Sequence, residues 1–120
     1  MDPNPSSRPL SEPTLTLLDE ARARSLSPLL GIGCRSGDTI VGLSSVRRAA
    51  KLAFVFASGG LAPRTLRELA GLAGGGTRVY QVAEIAVLTR SFGREDAQVV
   101  GVVPGDLARG VNQRLEGATP

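Results

Sequence analysis

Apolar positions along this chain fall into short blocks separated by glycine, proline and charge, and their period changes from block to block. "AFVFA", Ala53 to Ala57, and "VVGVV", Val99 to Val103, are continuous apolar runs of strand length, the pattern of strands buried on both faces in a largely parallel sheet. "TIVG", Thr39 to Gly42, is short and β-branched, and "TRVYQV", Thr77 to Val82, also reads as a strand.

Between these blocks the period is helical. From Thr14 to Arg24 apolar residues face one way and charges the other, and Ser27 with Pro28 carries the N-cap and first-turn chemistry that starts a helix running to about Arg35 and ended by Gly37. "LSSVRRAAK" has helical composition, with Arg47, Arg48 and Lys51 in its C-terminal half, where cations suit the helix dipole. "PRTLRELAGLA", from Pro63, places Leu66, Leu69, Ala70 and Ala73 at helical spacing, and "AEIAVLTRSF" puts Ile85, Leu88 and Phe92 on one stripe. Pro104 with Asp106 opens a last helix, "DLARGVNQRL". Four strands alternating with about five helices predict an α/β fold, a three-layer α/β/α sandwich with a four-stranded mixed sheet.

Residues 1–13 hold four of the eight prolines and are expected to form a flexible tail, with 14–116 as a single domain and 117–120 as a frayed end. A length of 120 residues suits one core and not two. With 42% hydrophobic and 21% charged residues the composition is that of a globular protein, and with 3% aromatics the core must be aliphatic. No apolar run approaches the roughly 18 to 20 residues that span a bilayer, and the start "MDPNPSSRPLSEP" lacks the basic and apolar blocks of a signal peptide. A cytoplasmic location without membrane contact is the expectation.

The absence of histidine and the single cysteine change the picture most. Cys34 has no internal disulfide partner, a zinc site lacks ligands, and the commonest nucleophilic triads lack their base. Cys34 is expected to serve as a small buried hydrophobe. The adjacent carboxylates Glu95 and Asp96 lie in a loop-like "GREDAQ", where neighbours point in different directions. "SGGLAPRT" joins a strand to a helix but lacks a dinucleotide or P-loop fingerprint, and "GLAGGGT" follows a helix, offering carbonyls where phosphate needs amides. No enzyme and no cofactor are expected.

What remains is "CRSGDTIVGLSSVRRAAK", Cys34 to Lys51. A short strand ending at Gly42 delivers Ser44, Ser45 and the first amides of the next helix to one end of the sheet, with Arg48 and Lys51 one turn further along. The net charge of +3 is carried almost wholly by arginine, Lys51 being the only lysine, and the planar arginine fork suits phosphate and guanine. A GC-rich coding bias produces the same arginine content, and solvated arginines beside a capping Ser44 remain the alternative at this point.

From Leu29 to about Val111 the order "LLGIGCRSGDTIVGLSSVRRAAK", "AFVFAS", "PRTLREL", "LTRSFGREDAQVVGVV" and "DLARGV" resembles the ribosomal L-seven-Ae / L-thirty-e superfamily, especially its small bacterial members. The resemblance implies an α/β/α sandwich that binds RNA without catalysis, typically the kink-turn, a sharply bent helix beside sheared G·A pairs. In that family a Gly-x-Asn-Glu-x-x-Lys segment at the start of the second helix meets the G·A pairs, and a loop before the last strand packs on extruded bases. By position Gly42 matches the glycine, Ser44 the asparagine, Ser45 the glutamate and Arg48 the lysine; only the glycine is identical. The second contact loop maps to Phe92 through Ala97. The segment between Ala50 and Phe54 is a few residues shorter than usual, which implies a truncated second helix.

The resulting expectation is an RNA-binding protein, monomeric, ribosome-associated or acting on other structured RNA, with no DNA partner. Gly42 lets the backbone approach, Ser44 and Ser45 hydrogen-bond base edges or phosphates, Arg35, Arg47, Arg48 and Lys51 supply charge, and Phe92 and Arg94 flank them. Four or five phosphate contacts predict a salt slope of roughly −3 to −4. The alternative is a ribosome-associated protein–protein adaptor that works through Phe92 and nearby apolar residues.

Overall fold

The structure is a computed structural model that describes residues 16–49, 51–94 and 96–117. The flexible-tail and frayed-end expectations, and the place of Glu95, lie outside or largely outside those residues.

The fold is mixed α/β. Its strands are β1 (Thr16–Leu18), β2 (Thr39–Val41), β3 (Phe54–Ser58), β4 (Arg78–Val82) and β5 (Val99–Val102). They form one sheet in the order β1-β4-β3-β5-β2. β1, β4 and β3 run parallel, while β5 is antiparallel to both β3 and β2. The sheet therefore has five strands where the sequence pattern suggested four. The unforeseen one is β1, which hides inside an apolar stretch, "TLTLL", too short for its period to separate strand from helix.

The helices are α1 (Glu20–Ser36), α2 (Leu43–Arg48), α3 (Pro63–Ala70), α4 (Ala86–Thr89) and α5 (Asp106–Gly117), with 3₁₀ turns at Gly71–Gly75 and Arg90–Phe92 continuing α3 and α4. α1 corrects a second expectation. It starts at Asp19, whose Oδ1 accepts from the Arg22 amide at 2.8 Å, and runs straight through Ser27 and Pro28. Proline inside a helix removes a backbone donor, here the one that would serve the Arg24 carbonyl. Both Arg24 and Pro28 lie on the exposed side of α1, where solvent can satisfy that carbonyl. Ser27 caps nothing; it is buried, and its hydroxyl donates to the Leu88 carbonyl at 3.0 Å. The helix ends as expected at Gly37, in the left-handed conformation with φ 88°.

Successive side chains of a strand point to opposite faces, and β3 feeds two apolar clusters accordingly. Phe54 and Phe56 join Ala23, Leu26 and Leu30 of α1, Leu88 of α4 and Val111 of α5. Val55 and Ala57 join Val46 of α2, Leu69 of α3, Val79 and Val99. Tyr80 stacks on Phe56 at 5.7 Å between ring centroids, so three of the four aromatic rings sit in one block. Gly101 explains how α2 approaches the sheet, because a Cβ there would stand 3.2 Å from the Leu52 side chain and 3.3 Å from Val46 Cγ2. Cys34 is only partly buried, and Ala73, placed by spacing on the inner side of α3, is exposed where the helix tightens into its 3₁₀ turn.

Candidate nucleic-acid interface

Strand register decides which loops meet. Val41 of β2 pairs with Val100 of β5, and the next amide, Gly42, donates to the Val99 carbonyl at 2.8 Å. On the other side of β5 the Ser58 amide donates to the Gln98 carbonyl at 2.9 Å. The C-terminal ends of β2 and β3 and the start of β5 thus lie at one end of the sheet. Gln98, next to the Val99 whose carbonyl takes the Gly42 amide, stands at that end, although 56 positions separate it from Gly42 in the sequence.

Gly42 is the N-cap of α2, with φ 102° and ψ 146° and no side-chain capping bond. That backbone region is almost closed to residues with a Cβ. The space above it is open, because a Cβ built there would meet nothing within 4 Å. Ser44 is exposed and Ser45 half-buried on the first turn of α2, so neither caps the helix. α2 is six residues long and ends at Ala49, whose extended backbone leads to the Ala53 amide, bonded to the Val102 carbonyl at 2.7 Å.

The cations divide. Arg48 and Lys51 are exposed. Arg47 is engaged across the surface with Glu68 of α3, its Nε donating to Oε2 at 2.8 Å and its Nη2 to Oε1 at 2.7 Å. That fork of hydrogen bonds, with the opposite charge behind it, raises the Arg47 pKa and lowers that of Glu68. Arg94 is exposed and approaches Asp96, Nε to Oδ1, at 3.7 Å. Arg35 sits in the last turn of α1, at the opposite end of β2 from Gly42. Phe92 is half-buried and packs on the α1 side of the core, close to Gly31.

The structure therefore sets Gly42, Ser44 and Ser45 together at the start of α2, Arg47, Arg48 and Lys51 along and beyond that helix, and leaves Arg35 apart. Sequence reasoning missed Glu68, 21 positions from Arg47, since only packing of α2 beside α3 makes them neighbours. It also missed Arg78, whose guanidinium lies 5.2 Å from the Phe54 ring centroid, donates to Tyr80 Oη at 2.7 Å and bonds Asn112 Oδ1. A cation followed two residues later by tyrosine on a strand was the only local signal.

Among the described residues no group of three or more His, Cys, Asp or Glu side chains is placed to hold a metal ion, and no helix is long and apolar enough to cross a membrane. Comparison of the chain with protein-family models finds no match, and comparison with curated proteins finds none.

Proposed function

We propose that the chain is a three-layer α/β/α sandwich of the ribosomal L-seven-Ae / L-thirty-e kind, and that it binds structured, kink-turn-like or ribosomal RNA in the cytoplasm without catalysing a reaction. The two apolar clusters on alternate residues of β3, one reached by α1, α4 and α5 and the other by α2 and α3, support the layering.

The observation that carries the functional reading is the hydrogen bond from the Gly42 amide to the Val99 carbonyl, which sets the start of α2 beside the end of the loop before β5. Two segments that the resemblance assigns to RNA stand side by side, and the open surface over Gly42 admits a close backbone. Ser44 and Ser45 donate to base edges or phosphate oxygens, and Arg48, Lys51 and Arg94 neutralise phosphates. Arg47 contributes less than its charge suggests, because Glu68 already occupies its fork.

The test is a titration against a kink-turn RNA and against the same RNA with its G·A pairs replaced, at two salt concentrations. Tighter binding to the intact kink-turn is expected, with a salt slope of about −2 to −3 for three phosphate contacts. Equal binding to both RNAs would reduce the reading to phosphate attraction. No binding to either would overturn it in favour of a protein–protein adaptor.

A further inference from the structure

Between α2 and α3 the sheet carries a cleft. Its volume is about 540 Å³, within the range of small-molecule sites. Val46, Leu52 and Leu69 form an apolar floor, Leu72 stands at the side, 37% exposed, and Arg47, Glu68 and Lys51 are the charged groups that line it. Since Arg47 and Glu68 satisfy each other in a two-bond ion pair, Lys51 carries the uncompensated charge. Among the described residues Lys51 has no hydrogen-bond or ion-pair partner.

The geometry points to a binding site for a small amphipathic organic monoanion, its apolar body on Val46, Leu52, Leu69 and Leu72 and its carboxylate on the Lys51 ammonium. Charge complementarity selects this occupant. An apolar wall rewards a hydrocarbon body, and a lone ammonium rewards a matching charge. One uncompensated ammonium balances one negative charge, so a ligand with several, such as a phosphate chain, would leave charge unpaired there. No aromatic side chain lines the cleft, so a nucleobase would find no stacking partner there. The site shares Lys51 with the RNA surface proposed above, but its argument does not rest on the RNA reading.

The test follows amide and methyl resonances of the whole protein during titration with sodium octanoate, octylammonium chloride and sodium acetate. Octanoate is expected to give saturable shifts at Val46, Leu69 and Leu72. Octylammonium, with the wrong charge, and acetate, without the apolar body, are expected to bind at least about tenfold more weakly. Lys51→Met is expected to weaken octanoate about fivefold, the scale of a partly exposed ion pair, and to erase the preference for the anion.

Gly71 lines the cleft in a right-handed helical conformation with φ −63°, and a Cβ there meets nothing within 4 Å. Gly71→Phe therefore fills the mouth without backbone strain and is expected to abolish the octanoate shifts while the spectrum elsewhere is retained. Leu72→Glu, at a position already partly exposed, places a second anion there and is expected to weaken octanoate as well. Undiminished binding to either folded variant, equal binding of octylammonium, or no saturation at about 10 mM octanoate would overturn the assignment.

Discussion

Gly42 and Gly71 are the same residue type under opposite obligations. Gly42 holds φ 102° in open space, so substituting alanine meets no neighbour and strains only the backbone. Gly42→Ala is expected to destabilise the fold by about 1–3 kcal/mol in urea unfolding. Gly71→Ala, at φ −63° and also in open space, is expected to be neutral or to stabilise by roughly 0.4–1 kcal/mol through the unfolded chain. "TIVGLSS" makes Gly42 legible as a boundary glycine, because a β-branched run stops there and a helical one begins. Its left-handed φ and the emptiness above it were not legible, since both follow from where β2 meets β5. Cys34 teaches the converse, for an apolar neighbourhood in sequence left it only partly buried.

At the scale of elements, α1 shows one strong signal overruled by others. Ser27-Pro28 has the chemistry of a helix start, yet Asp19 caps a helix that continues for 17 residues. Ala23, Leu26, Leu30 and Val111 enter the same core cluster, and their burial outweighs the cost of an interior proline, about 3 kcal/mol relative to alanine. Pro28→Ala restores the missing donor on an exposed face and is expected to raise stability by about 1–3 kcal/mol, read as a shift of the urea midpoint at constant m. A fall in stability would mean that the stiffness of Pro28 in the unfolded chain matters more than the lost bond. The strands β3 and β5 were legible because burial on both faces leaves an unbroken apolar run, whereas β1, three residues beside β4, leaves almost no pattern.

Over the whole molecule, charge placement matters more than the net charge of +3. The Arg47–Glu68 pair ties α2 to α3 and withholds one cation from any phosphate ligand. Glu68→Gln is expected to free Arg47, tighten RNA binding and steepen the salt slope by about 0.7 to 0.9; an unchanged slope would mean that Arg47 does not face the RNA. The pair's stabilising effect has a definite pH sign. Glu68 has a lowered pKa in the folded state, owing first to its hydrogen bond from Arg47. Whatever stability the pair contributes is present at neutral pH and is lost as pH falls through that lowered value. Both side chains are well exposed, so the loss is small.

The sequence by itself determined the alternation of strands and helices, the stopping points at Gly37 and Gly42, and the absence of histidine, because these depend on local periodicity, local backbone freedom and composition. Only the tertiary structure decided the strand order, the fifth strand, the bond of Gly42 to Val99, and the pairing of Arg47 with Glu68. Each of these depends on contacts between residues far apart in the chain, and such contacts leave no period in a single sequence to be read.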